Sequence, residues 1–405
     1  MALENEMLVW GFVIALVMGA VTKRTRFCTM GAVADLVNTG DAGRMRAWIL
    51  AGTVAMLGVA GMHLFGLIDL GLVANNDTSS PPYRTSQFAW PRYLVGGVMF
   101  GVGMTLASGC GYRTLVRLGG GNLKALAVLA AMAFAAYLMI FTNFGYNAFL
   151  RWMQPGVIDL EQWGLPDQGL DTVLAGVLET PRNVTHAGIA IILGGGLLSW
   201  VLRAADFRRG SEHAVGGLVV GLTVVAAWYV TAGPIGQALL EEIAFMDTQP
   251  LAAGAQSLTF IQPSAHLWHW VASGFSSHLV TFALIVSAGV LVGSFAYSAG
   301  SGRFRIEWFS DWRDSANHVL GGLLMGIGGV LAMGCTIGQG VAGISTLALG
   351  SFVTFGAIVL GSALTIKFMY YRMVYARHAT FWRALTAALS DLRLWPTRLR
   401  GLDPL

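Results

Sequence analysis

Residues 96–110 read GGVMFGVGMTLASGC, and residues 321–335 read GGLLMGIGGVLAMGC. The stretches share a starting phase, agree at 8 of 15 positions, and each closes on one of only 3 cysteines. Each is an apolar run somewhat short of the roughly 20 residues that cross a bilayer. Glycine at this density lets helix backbones touch. The repeat predicts two related units, each with a glycine-rich helix that stops at a Gly-Cys pair.

The surrounding composition gives the medium. Of 405 residues 55% are hydrophobic and 11% charged, mean hydropathy is +0.63, and 53 residues are glycine. A water-soluble domain carries about 25% charged residues, so the soluble classes are excluded. Nine apolar segments follow: Leu8 to Val21, Ala47 to Leu70, Tyr93 to Ala107, Leu123 to Phe144, Ala187 to Leu202, Ala214 to Val230, Leu279 to Tyr297, Val319 to Ala332 and Thr346 to Tyr371. The expected fold is an all-α integral membrane protein with about nine transmembrane helices plus short half-membrane segments. Residues 1–405 form one polytopic unit, with repeat halves at about 8–145 and 213–372 and a basic cytoplasmic tail at 373–405.

Charge supplies the orientation. Glu4 and Glu6 precede the first apolar run, and Lys23, Arg24 and Arg26 follow it. That order reads as a first spanning helix with its N-terminus outside, not as a cleaved leader. Alternating sides from there places 20 of the 25 basic residues inside, while acids such as Asp159, Asp167, Asp171, Glu241 and Asp247 fall outside. This follows the positive-inside rule and puts the C-terminus in the cytoplasm, so the expected location is a bacterial inner membrane. The two repeat copies then enter from opposite sides, as in inverted-repeat transporters, whose sites lie where the repeats meet. Only re-entrant Gly-Cys segments would disturb this count.

After each Gly-Cys pair comes a polar, glycine-rich stretch, Gly111 to Asn122 and Thr336 to Thr346. Irregular backbone at membrane depth survives where it is buried in protein or lines a watery cavity, and its free amides then attract anions. The candidate pathway residues are Cys110, Cys335, Cys28, Gln339, Arg113, Arg26, Asn122, Gly109, Gly111, Gly334 and Gly338. Tight helix crossing is the competing reading for the glycines, and packing as a small apolar side chain is that for the thiols. Arg26 reads equally as an anion-steering group or a membrane-side anchor. Asp35 reads as a solvated carboxylate or a proton carrier. Trp48, Trp90, Trp152, Trp228, Trp268 and Trp270 read as an interfacial belt. No C-x-x-C pair or histidine spacing forms a metal site, and neither a cofactor motif nor a nucleic-acid-binding pattern is present.

These motifs resemble a known family. Arg26-Phe27-Cys28, GCGYRTLVRLGGGNL from Gly109, GCTIGQGVAGISTLALGS from Gly334 and the Ser257-to-Pro263 segment are similar to the YeeE/YedE family of sulfur-compound transporters. The resemblance runs from the first helix to Ser351. It implies an hourglass-shaped helical protein of pseudo-symmetric halves that takes up thiosulfate and passes it along cysteines matching Cys28, Cys110 and Cys335. It also implies a TusA-like cytoplasmic sulfurtransferase as partner. In the second repeat Arg303-Phe304-Arg305 aligns with the first motif, which would leave Cys28 facing an arginine as its counterpart.

The chemistry is compatible. Thiosulfate is a dianion with a terminal sulfur, to which a neutral thiol donates weakly; a thiolate would repel it. Weak contacts suit a site that must also release its cargo. A membrane sulfurtransferase working through a cysteine persulfide is the alternative of another class, and a selenium compound is an alternative cargo. A general anion channel ranks behind both. No nucleotide-binding motif is present, and few carboxylates lie in the apolar runs. Uptake is therefore expected to be drawn by consumption of the ion inside.

Overall fold

The computed structural model describes residues 2–209, 211–245, 251, 253–276, 279–396, 398 and 400–403. Asp247 lies outside them. The chain is helical almost throughout, because a backbone in lipid must satisfy its own hydrogen bonds. The first part holds α1 (Ala2–Thr25), α2 (Thr29–Asn38), α3 (Gly43–Leu64), α4 (Trp90–Leu106), α5 (Gly111–Gly119), α6 (Lys124–Phe141) and the short α7 (Arg151–Met153). Next come α8 (Leu170–Leu178), α9 (Arg182–Arg203), α10 (Ala205–Arg209), α11 (Ser211–Ala232) and α12 (Pro234–Ala244). The rest is α13 (Gln262–Ala272), α14 (Phe282–Gly300), α15 (Trp312–Leu331), α16 (Leu349–Tyr375) and α17 (Phe381–Asp391).

Among the described residues eight helical stretches are long and apolar enough to cross a membrane, and the chain is a multi-pass membrane protein. A helix forms most of each of the nine apolar segments. The one outside the eight is α15, whose first turns carry Arg313 and Asp314. Lys124 at the start of α6 pairs with Asp314 at 2.7 Å, which anchors that polar end. Two-residue strands at Gln87–Phe88 and Ile158–Asp159 pair antiparallel outside the bundle.

The two copies of the repeat meet each other at the centre. A Cβ at Gly103 would lie 2.7 Å from the Gly321 carbonyl oxygen, and one at Gly321 would lie 2.6 Å from that of Gly103. Gly96 and Gly328 form the same reciprocal pair. The first and eighth positions of one copy thus face the eighth and first of the other, so α4 and α15 cross antiparallel, backbone to backbone. The flanking contacts repeat the exchange: α4 runs parallel to α16 through Gly97 and Gly101, and α15 runs parallel to α6 through Gly322 and Gly326. Further out, α1 lies along α14 and α3 along α11.

Both Gly-Cys segments are re-entrant. After α4 the chain turns at Ser108 (φ 59°), and α5 starts beside Met132, midway along α6. Ser108 and Gly120, before and after the excursion, line the same basin. After α15 the turn comes at the equivalent position, Met333 (φ 56°), and the chain returns through a wide helical turn, Gly338–Gly343. There Leu347 accepts from the amide of Leu170 at the other end of the bundle. Each segment enters and leaves from one end, and the two come from opposite ends. The number of crossings is unchanged.

Two expectations change. Trp48 and Trp228 are buried, not interfacial: Trp48 stacks between Phe27 and Phe355, and Trp228 donates to Ser345 at 3.2 Å. Trp90, Trp152 and Trp268 are exposed, and Trp270 is half-buried. The residues after the last span do not form a plain tail, because α17 packs on α16, where Asp391 binds Tyr371, Arg400 and Lys367.

The crossing is testable. Gly103→Ala places a methyl against backbone that has no room to move, and is expected to cost about 1–3 kcal/mol. Gly195→Ala, which has nothing within 4 Å, should be neutral. Thermal unfolding of the detergent-purified variants checks the contrast.

Candidate functional site

Local chain geometry treats the three cysteines alike. The carbonyl of each accepts the amide four residues on: Ala32 to Cys28 at 3.0 Å, Thr114 to Cys110 at 2.9 Å and Gln339 to Cys335 at 2.8 Å. Each is therefore the N-cap residue of a helical segment. Two of the thiols also face the amide three residues on: Gly31 donates to Cys28 Sγ and Gly338 to Cys335 Sγ, both at 3.4 Å. A helix N-terminus carries a partial positive charge and unpaired amides, so the sulfurs sit where an anion would be held.

Cys110 and Cys335 are 1% and 0% exposed, while Cys28 is half-buried; all three are unpaired thiols. Cys28 is thus nearest the surface, and Cys110 and Cys335 lie in the interior. The aromatic stack of Phe27, Trp48 and Phe355 runs from the residue before Cys28 to Gly340 in the second loop.

The two ends differ. Cys28 opens on a basin of about 410 Å³ that also takes in Lys23, Arg26, Arg44, Arg113, Arg303 and Arg305, against the single carboxylate of Glu307. Arg117 lies there too but braces the turn, donating to the carbonyls of Ala107 and Ser108. Gln339 does the same for the second repeat, donating to Ala332 at 2.7 Å, and its Oε1 has no partner. Asn122 sits on the rim, bound to Glu307. Asp35 pairs with Arg44 at 3.2 Å at that end. At the opposite end a polar vestibule of about 600 Å³ has Arg92, Glu161, Asn75 and Gln87 in its walls and Met333 at its edge.

The counterpart of Cys28 is not Arg305. Cys28 caps α2, which packs on α16, and Ile261 caps α13, which packs on α6. Since α6 and α16 are the helices that follow the two Gly-Cys loops, Thr259-Phe260-Ile261 stands where Arg26-Phe27-Cys28 stands. Arg305 instead joins a connection, its amide bound to the Gly120 carbonyl. The extra helix α12 and the stretch after it displace the second motif along the chain, which is why alignment by spacing misses it.

Gly109, Gly111, Gly334 and Gly338 all lie at the two turns. Gly338 is flanked by groups that motif reading passes over: a Cβ there would lie 3.2 Å from both the Tyr83 and the Thr259 hydroxyl oxygens, two buried groups without a partner. Thr259 belongs to the Ser257-to-Pro263 segment, so a signal existed; Tyr83 lies in a loop with none. No group of three or more metal-ligating side chains forms among the described residues.

Thiol accessibility gives a direct check. An anionic methanethiosulfonate should label Cys28 in the cationic basin on the order of tenfold faster than a cationic analogue. Cys110 and Cys335 should stay unlabelled until the protein is unfolded, as read by peptide mass spectrometry.

Comparison with known proteins gives the family. A protein from Escherichia coli (strain K12) named Thiosulfate transporter TsuA is 24% identical over 377 residues, covering 88% of this chain and 93% of that protein. A protein of the same name from Spirochaeta thermophila is 24% identical over 362 residues, covering 88% and 97%. The Sulphur transport family profile matches residues 24–364. With that match spanning most of its length, and with its Gly-Cys motifs at the crossing of two membrane repeats, the chain belongs to the Sulphur transport (YeeE/YedE) family.

Proposed function

We propose that this protein takes up thiosulfate, or a closely related sulfur-containing anion, by relay along Cys335, Cys110 and Cys28. One observation carries the reading: three free thiols, each at a helix N-terminus, two of them facing a backbone amide and two sealed at the crossing of the repeats. The amides of Gly31 and Gly338 offset the charge, and neutral thiols meet the terminal sulfur. Both are short-lived contacts, suited to passing an ion on. The names of the relatives favour thiosulfate as cargo.

In this reading the protein lies in a bacterial inner membrane with the N-terminus outside and the C-terminus in the cytoplasm. Its inverted halves span about 8–145 and 213–372. The polar vestibule is the entrance, and the arginine basin at Cys28 is the exit, where Arg26 and Arg113 receive the ion. Gln339 and Asn122 hold the second turn and the basin rim in shape. A TusA-like sulfurtransferase takes the ion from that basin. Bringing a dianion into a negative cytoplasm costs about 4.6 kcal/mol per 100 mV, so removal at the inner face supplies much of the drive.

Cys110→Ala and Cys335→Ala each remove a thiol that no water can replace, and each should lower labelled thiosulfate uptake in cells on the order of tenfold or more, about the value of one hydrogen bond. Expression in the membrane should match wild type. Uptake at the wild-type rate in either variant would return that cysteine to a packing role, and a wild type that moves no thiosulfate would refute the cargo.

A further inference from the structure

Arg84 follows Pro-Pro-Tyr in the loop after α3, Asp167 and Asp171 are four residues apart around the start of α8, and His186 lies in the first turns of α9. The fold gathers them at the vestibule end, all buried. Arg84 Nη2 donates to Asp167 Oδ1 and Asp171 Oδ2, both at 2.9 Å, and to the Thr172 hydroxyl at 3.0 Å. One guanidinium therefore faces two carboxylates, a buried excess of one negative charge. Such an excess is costly away from water.

His186 stands beside it with 0% exposure, and neither ring nitrogen has a hydrogen-bond partner. Its Nδ1 lies 3.5 Å from Asp171 Oδ1, which also lacks one. A proton on Nδ1 would make the missing bond and cancel the excess charge. The other groups facing His186 are His63 from α3, edge-on at 5.6 Å between ring centroids, and Arg84 with Asp167 behind it. Arg182, a turn below on α9, is exposed. Burial pushes the Asp171 carboxyl up, but the neighbouring His186 ring and the charge of Arg84 outweigh that and hold it at about 2, so it stays ionised.

The same segment is sewn to the end of the Cys335 loop. Arg84 Nη1 donates to the Thr346 carbonyl at 3.4 Å, Leu170 to that of Leu347 at 3.0 Å, and Leu349 to that of Gln168 at 3.1 Å. Gln168 Oε1 accepts from Gly350 at 2.9 Å. We infer that this cluster is a proton site: one proton on His186 draws Asp171 from Arg84, loosens the clamp on residues 346–350, and frees the Cys335 loop. Its effect on uptake rests on the transport reading; proton binding and release of the clamp do not.

Hydrogen exchange of residues 346–350, measured by mass spectrometry on the full chain in nanodiscs and corrected for intrinsic rates, tests it without any cargo. Wild type should exchange about tenfold faster near pH 5 than near pH 8, a range wide enough for a buried imidazole to titrate. His186→Gln should be slow at both, and Asp171→Asn, neutral without a proton, fast at both. Equal wild-type exchange at the two pH values would overturn the inference whether or not the variants fold, as would a wild-type pH response in His186→Gln. Thiosulfate uptake into proteoliposomes should follow the same profile with the vestibule-side pH. A chain that moves no thiosulfate but keeps the exchange profile refutes the cargo and leaves the proton site standing.

Discussion

Two helices touch backbone to backbone at the centre of this protein, and every chemical feature takes its position from that contact. Because α4 and α15 approach through Gly96, Gly103, Gly321 and Gly328, no side chain intervenes where they cross. Lipid offers little drive for helices to associate, so such close packing is what holds them. The two turns that follow, at Ser108 and Met333, then deliver Cys110 and Cys335 to adjoining places in the interior. A bulkier crossing would separate the thiols before it unfolded the bundle.

The repeat is symmetric in its frame and asymmetric in its chemistry. Ala107 and Ala332 end the two crossing helices, and each has its carbonyl held by a side chain from beyond the turn, Arg117 in one case and Gln339 in the other. Arg26 and Cys28 at one end correspond to Thr259 and Ile261 at the other. A cationic basin thus faces one side of the membrane, and a vestibule of neutral donors with few charges faces the other. In the proposed reading, an anion moving between them goes from a site that holds it by hydrogen bonds to one that attracts it by charge, which would give the path a direction that its backbone lacks.

The vestibule end carries a different kind of order. Arg84, Asp167 and Asp171 are charged residues from loops and a short helix, buried around the exit of the second turn. Removing such charges from water is justified only by close pairing, and here the pairing also secures the irregular backbone of residues 346–350. The cost of irregular chain near the membrane is met by groups contributed from outside the repeat.

Membrane residence, helix type, the repeat and its three cysteines follow from the sequence by itself. Long apolar runs leave the backbone no other way to bond, and glycine spacing at identical phase requires two equivalent helices. The Gly-Cys turns were legible for the same reason, since polar glycine-rich chain at that depth must be sheltered. Only the tertiary structure decided which groups meet. Ile261, not Arg305, answers Cys28, because α12 shifts the register of the second half. Trp48 and Trp228 are interior, because a ring's depth depends on which face of its helix meets a neighbour. Tyr83 and Arg84 join their clusters from a loop that carries no periodicity. Long-range pairing between distant loops leaves no local trace in a chain, so no reading of spacing could have found it.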